Sequence, residues 1–331
     1  MQFDFLICSE RSGSNLITKV MDGHPKVCGP FPSHMMRHIA PNLFRYGDLK
    51  DDAHWSNLTE ETAEYLQNMF ARWETSVTAS ELRASCAERN FAAVVRYVYE
   101  KEAAARGKSR VFVKENHAFE FIAFTLAHFP ESRFIWVVRD PRDMALCQRG
   151  SILPGGVQRA APVWKNDQGE TLKVYGYLSG IGKILLVKFE ELVSEAEKTS
   201  RRVCEFLDLP YAPEMLEFHK APNVAKNAAW NTAWADLGGP ILTDNFGQYK
   251  QELSEVEIRY VEAVCSPEMR FLGYEPDYPL GDADELRKEL PDEARFEVPR
   301  NEEEQARFEP WRQFTIRLRE RWSQRGTVSV S

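Results

Sequence analysis

The chain has 331 residues, of which 43% are apolar, and a formal net charge of −8. That is enough apolar material for one large core, and the acidic balance argues against a broad nucleic-acid surface. No run of about eighteen apolar residues occurs, which excludes a membrane-spanning helix, and six scattered cysteines without a Cys-x-x-Cys pair fit a reduced chain without structural zinc.

In chain order, Met1-Gln2-Phe3-Asp4 enters a strand directly, with no basic leader, so a cytoplasmic protein is expected. The strand over residues 3–9 (Phe3, Phe5, Leu6, Ile7) ends in a polar loop containing Arg11, Ser12, Gly13 and Ser14. Helix spacing over 14–24 follows (Leu16, Ile17, Val20, Met21), closed by Gly23-His24-Pro25 with His24 in a structural role. A strand, a tight loop and a helix N-terminus make an anion site: unpaired backbone N–H groups converge, the helix dipole adds positive charge, and Gly13 permits close approach. An ordinary turn with Ser14 as N-cap uses the same residues. The loop lacks the Gly-x-x-x-x-Gly-Lys-Ser/Thr of an ATP-binding loop.

Residues 40–107 carry no strong strand signal and read as a helical block on the substrate side, with helix starts at Ser56–Glu61 and Thr78–Glu81. A strand is expected over Val111–Lys114, a helix over Phe119–His128 and a strand over Phe134–Val138. Arg139-Asp140-Pro141-Arg142-Asp143 then opens a helix with Pro141 in its first turn. The glycines and prolines of 150–170 suggest a mobile lid. A strand over Ile184–Lys188 and a helix over Glu190–Leu207 follow. This alternation predicts an α/β fold, a central parallel sheet flanked by helices. Asp282–Glu304 read as acidic and irregular. Phe308, Trp311, Leu318 and Trp322 mark an amphipathic helix docked on the same domain or on a partner subunit of a homo-oligomer, with a membrane-surface or anionic-partner role as the weaker alternative.

Five ordered pieces carry a family likeness: Arg11-Ser12-Gly13-Ser14-Asn15-Leu16, Asp22-Gly23-His24-Pro25, Val113-Lys114, Phe134 to Asp143, and Gly247-Gln248-Tyr249-Lys250. Together they resemble the sulfotransferases that use 3′-phosphoadenosine 5′-phosphosulfate (PAPS), in particular the bacterial-type branch. The resemblance spans roughly residues 3–277. It implies a P-loop-like sulfotransferase fold, with a sulfotransferase domain over 1–280 and a C-terminal extension over 281–331. It also implies that Arg11, Ser12, Gly13, Ser14, Asn15 and Leu16 bind the 5′-phosphosulfate and that Arg139 holds the 3′-phosphate. By the same likeness Phe189, in Lys188-Phe189-Glu190-Glu191-Leu192, lies near the adenine, and Gly247, Tyr249 and Lys250 belong to the closing region.

Some positions depart from the pattern. Cys147 stands where the family usually has a Ser that contacts the 3′-phosphate, and a thiol is a weaker donor. Leu242-Thr243-Asp244 has no counterpart of the animal Arg-Lys-Gly segment, and Pro32 falls near the position of a candidate base Glu in bacterial relatives.

Sulfuryl transfer is an in-line displacement governed by positioning and charge stabilisation. The family likeness implies no metal requirement. Cations near the site include Arg11, Lys19, Lys114, Arg139, Arg142 and Lys250, with Arg11 and Lys114 expected to stabilise the leaving phosphate of the product PAP. The acceptor, a hydroxyl or amine of a small molecule, needs a base, for which His34, His117 and Glu115 are the candidates. A nucleotide kinase using magnesium-ATP and a PAP-binding relic without activity are the alternatives.

Overall fold

A computed structural model of the chain describes residues 1–149, 155–291 and 302–325. Five strands, β1 (Gln2–Cys8), β2 (Val27–Cys28), β3 (Arg110–Lys114), β4 (Phe134–Val138) and β5 (Ile184–Lys188), form one parallel sheet in the order β2-β3-β1-β4-β5. The two-residue β2 is too short to show in the sequence. The helices are α1 (Ser14–Gly23), α2 (Met35–Ile39), α3 (Asp52–Asn68), α4 (Ala79–Ser85), α5 (Phe91–Ala105), α6 (Ile122–His128), α7 (Pro141–Arg149) and α8 (Gly156–Gly180). They continue with α9 (Phe189–Ser194), α10 (Ala196–Phe206), α11 (Pro222–Ala228), α12 (Tyr249–Glu252), α13 (Glu255–Phe271), α14 (Ala283–Glu289) and α15 (Glu302–Gln324). None of the described helices is long and apolar enough to cross a membrane.

Strands β1, β3 and β4 are buried on both faces, as expected when parallel strands are covered by helices on each side, while the edge strand β5 is partly exposed. Phe3, Phe5 and Ile7 of β1, with Phe134, Trp136 and Val138 of β4, join a core shared with α5, α8 and α13. The intervening Leu6, Cys8, Ile135 and Val137 join a second core with Ile17, Val20 and Met21 of α1 and Val203 and Cys204 of α10. Asp4, buried on β1, is held by Arg110 Nε at 2.5 Å and by the Arg133 backbone N–H at 3.1 Å.

Residues 40–107 contain no strand. The helix start expected at Ser56 lies inside α3, because Asp51 caps that helix by accepting from Ala53 and His54 N–H. The capping box of Thr78 and Glu81 is present at α4. The lid expected over 150–170 is corrected from Gly156 onward, where the chain is helical; residues 150–154 lie outside the described residues. Val157, Ala160, Ala161 and Trp164 place a buried stripe on α8, and that packing outweighs the low helix propensity of Pro162 and Gly169. Pro162 cannot donate to the Gln158 carbonyl, and the Tyr260 hydroxyl does so at 3.3 Å. The helix expected over 190–207 is two helices, broken at Glu195 (φ −129°, ψ 50°). Part of the acidic segment expected to be irregular is α14, capped by Asp282; residues 292–301 lie outside the described residues.

The α15 helix docks on α3. Phe314, Leu318 and Trp322 are buried in the main core. Trp311 Nε1 donates to Tyr65 Oη at 3.3 Å and Trp322 Nε1 to Tyr46 Oη at 3.0 Å.

Candidate active site

In this strand order β1 and β4 are adjacent, and their connections leave in opposite directions, which opens a crevice at their carboxyl ends where open α/β sheets bind ligands. The loop after β1 and the loop after β4 line that cleft with Arg11, Gly13, Ser14, Asn15, Leu16 and Arg139; Cys147 of α7 and Phe189 of α9 complete its walls. Eight of the expected binding residues are thus brought together.

The first wall is the N-terminus of α1. Its N-cap is Gly13 in the left-handed region (φ 80°), no side chain caps the helix, and no acidic residue occupies its first turn. The first helical N–H groups lack intrahelical partners by construction, so this end offers donors and dipole charge to an anion. A Cβ on Gly13 would fall 2.2 Å from Phe189 Cδ2, so the position demands glycine for space as well as for φ. Ser12 is fully buried and its hydroxyl donates to Ser9 O at 2.7 Å, which shapes the loop rather than lining the cleft.

Arg139 carries the charge on the second wall. Trp164 Nε1 donates to its carbonyl at 2.9 Å and its guanidinium lies 4.3 Å above the Phe189 ring. Its terminal nitrogens donate to Asn245 O at 3.0 Å and Arg11 O at 3.4 Å, while Nε is buried without an acceptor. Asn15 Oδ1 is likewise buried and unpartnered. Buried polar atoms are normally satisfied, so these two fit a site whose partner is a bound polar ligand. Cys147 Sγ accepts from Arg11 Nε at 2.9 Å and so steadies the loop cation.

Other expected residues lie elsewhere. Gly247 and Tyr249 do not line the cleft; their N–H groups are taken by Asp143 at 2.5 and 3.0 Å, and Gln248 and Asn245 of the same segment form the wall instead. Lys250 is exposed, with Nζ 3.9 Å from Asp277. Lys19 is buried against Asp22 and Gly29 O, and Arg142 is clamped by Asp140 and Glu262, so both cations are structural. His24 bridges Pro210 O and the Lys26 N–H.

The candidate catalytic residues other than Arg11 end β3, follow it or precede α2, on the opposite side of the β1 loop. Arg11, His34 and His117 have left-handed φ values of 61°, 58° and 58°, and of the described non-glycine residues only Asp208 shares that conformation. Such strain concentrates at functional sites. Lys114 is buried with Nζ 2.8 Å from Asn116 Oδ1, and burial lowers its pKa. Glu115 accepts from Ser33 Oγ at 2.9 Å and Tyr99 Oη at 3.2 Å; burial pushes its carboxyl up to about 7. With a side chain only 1% exposed, it ties β3 to the segment before α2. His34 is buried, its Nδ1 unpartnered and 4.0 Å from Glu115 Oε2; burial, then the charges of Lys114 and Arg37, hold its pKa well below the usual range.

His117 differs from these in access, with its side chain 23% exposed. Its Nδ1 lies 3.0 Å from Glu120 Oε1 and its Nε2 3.4 Å from an Arg37 guanidinium nitrogen. A carboxylate only accepts and a guanidinium only donates, which assigns the proton to Nδ1 and turns the Nε2 lone pair toward Arg37.

Besides Glu120, two carboxylates at this site carry no signal in the sequence. Glu10 pairs with Arg159 at 3.1 Å; burial pushes its carboxyl up, but the charge and hydrogen bond of Arg159, with the charges of Arg37 and His117, together leave its pKa lowered. Asp167 on α8 is buried with Oδ2 unpartnered, and burial pushes it up to about 6. Both lie within electrostatic range of His117.

A model described as the sulfotransferase family matches residues 5–213. The chain is 32% identical over 94 residues to human carbohydrate sulfotransferase 2, covering 28% of this chain and 17% of that protein. It is 21% identical over 276 residues to the protein-tyrosine sulfotransferase of Drosophila melanogaster, covering 80% of this chain and 50% of that one. The chain therefore spans half or less of these relatives' lengths. Among solved structures, the sulfotransferase domain of the olefin synthase from Synechococcus PCC 7002 superposes with a TM-score of 0.54 at 16% identity, covering 84% of this chain and 96% of that domain; this likeness speaks for the fold. With more than half of its length matched by the family model, the chain belongs to the sulfotransferase family.

Proposed function

We propose that the chain transfers a sulfuryl group from PAPS to a hydroxyl, or an amine, of a small-molecule acceptor. The observation that carries this reading is the cleft that joins an uncapped helix N-terminus to Arg139, whose buried Nε lacks an acceptor. Arg11 and the α1 N–H groups would hold the 5′ end of the donor and Arg139 the 3′-phosphate. PAPS supplies the activated sulfuryl group: the acceptor oxygen bonds to sulfur, the bond from sulfur to the bridging oxygen breaks, and PAP leaves with that electron pair.

The acceptor proton needs a base within reach. His117 supports that role best, because its side chain is part-exposed and Glu120 orients the ring from Nδ1, which leaves Nε2, facing Arg37 at 3.4 Å, as the proton acceptor. The carboxylates of Glu120, Glu10 and Asp167 would favour the imidazolium that forms. His34 and Glu115 fit positioning roles, since both are sequestered. Lys114 would add positive charge beside the β1 loop. We take residues 1–280 as the transfer unit and 281–331 as an extension whose helix α15 lies on the acceptor side.

The test is transfer of labelled sulfuryl from PAPS to a panel of hydroxyl compounds, with His117→Ala and His34→Ala compared. Label transfer that is lost in His117→Ala with PAP affinity retained supports the reading. PAP binding without transfer to any acceptor would favour the inactive relic.

A further inference from the structure

A second cavity opens on the β3 side of the β1 loop, between α2, the loop after β3 and the last turns of α15. Its walls carry three guanidinium groups, Arg37, Arg45 and Arg319, against one carboxylate, Glu120, which is already engaged by His117. His38, also in the wall, is kept neutral, since burial lowers its pKa to about 3. The cavity is therefore net positive in a chain whose overall charge is −8.

Arg37 and Arg45 contact neutral groups. Arg45 donates to Asn42 Oδ1 at 3.1 Å and Trp322 O at 3.3 Å, and Arg37 faces His117 Nε2 at 3.4 Å. Among the described residues, none of the three has a carboxylate within ion-pair distance of its guanidinium. Elsewhere on α15 and just after it the pattern is the reverse: Arg321 pairs with Glu64 at 2.9 Å and Arg325 with Glu61 at 2.6 Å. Guanidinium groups left without carboxylates around one concave site match the planar oxygens of a carboxylate or phosphate.

His117 lines the same cavity, and Glu10 of the β1 loop lies within electrostatic range of both His117 and Arg37. The cavity thus reaches from the candidate base to the arginines. We infer that it is the acceptor subsite and that the acceptor is a small molecule bearing an anionic group, a carboxylate, phosphate or sulfate, held by Arg37, Arg45 and Arg319 while its hydroxyl faces His117. A residue from the C-terminal helix then selects the substrate. The inference rests on the sulfotransferase reading.

The test is calorimetric titration of the full chain, with and without saturating PAP, using matched pairs that differ in charge: 4-hydroxyphenylacetate against 4-hydroxyphenylacetamide, and glycerol 3-phosphate against glycerol. The anionic member of at least one pair should bind at least tenfold more tightly than its neutral partner. Arg319→Gln, an exposed position whose loss spares the core, should weaken that binding about tenfold, and Arg319→Glu should abolish it, with PAP affinity unchanged. Equal binding within both pairs, no binding of either anion, or an anionic preference that survives Arg319→Glu would overturn the inference. Failure of PAP itself to bind would instead overturn the sulfotransferase reading, while the titrations without PAP still report on the cavity.

Discussion

Phe189 packs its ring edge against the α-carbon of Gly13, so closely that a Cβ there would lie 2.2 Å from Cδ2 and 2.6 Å from Cε2. The same ring carries the Arg139 guanidinium 4.3 Å from its centroid. One aromatic side chain thus sets both the loop that opens α1 and the cation facing it. Gly13→Ala must strain a left-handed residue, at about 1–2 kcal/mol, and displace Phe189. PAP affinity should fall at least tenfold, measured calorimetrically, with a lower unfolding midpoint. Unchanged affinity would show that the loop tolerates rearrangement.

Cys147 tests the opposite direction. Its sulfur accepts from Arg11 Nε, a bond a hydroxyl oxygen makes better. Cys147→Ser should keep or improve PAP affinity and Cys147→Ala should weaken it severalfold. Equal affinity in all three proteins would detach Cys147 from the site.

For the base, His117→Ala should lower kcat by about 10²–10⁴, the range for removal of a general base, with PAP affinity retained. Glu120→Gln should lower kcat less and move the pH profile, because the ring loses its charged partner. A pH profile unaltered by Glu120→Gln would leave His117 without the orienting partner assigned here.

Glu115 gives a pH signature of its own. Burial raises its carboxyl from the ordinary 4.5 to about 7. The folded chain therefore binds this proton more tightly than the unfolded chain, and the contribution to stability is fully present below about pH 4 and lost as pH rises through 7. Glu115→Gln removes that decline, so the variant's unfolding free energy relative to wild type should increase between pH 4 and pH 8 in urea titrations. A difference independent of pH would mean that Glu115 ionises normally.

Much of the fold was legible because its signals are local. The apolar runs of β1, β4 and β5 and the spacing of α1 are contiguous, and Gly13 marks the loop without reference to distant chain. Arg139 could be placed for the same reason. Asp167 was hidden because Pro162 and Gly169 suggested a loop; only packing of Trp164 and the Tyr260 hydroxyl at Gln158 O make that segment helical. Glu120 stands three residues after His117, a spacing too common to signal a pair. Arg319 meets Arg37 and Arg45 only through the docking of α15, which sequence spacing does not encode. Gly247, Tyr249 and Lys250 were taken from the family likeness, and here Asp143 turns that segment so that Gln248 and Asn245 face the cleft.

That docking rests on Trp322, which is buried and donates to Tyr46 Oη. Trp322→Ala should cost about 3–5 kcal/mol, read from chemical denaturation. A loss below about 1 kcal/mol would mean that the helix contributes little to the folded unit.

Calorimetric titration with PAP in the presence of a chelator, with magnesium-ATP as the comparison, probes the cofactor cleft itself. A PAPS-dependent sulfotransferase should show one PAP site per chain that needs no metal, little response to magnesium-ATP, and at least tenfold weaker PAP binding in Arg139→Gln. Preference for magnesium-ATP, or PAP affinity indifferent to Arg139, would contradict that reading.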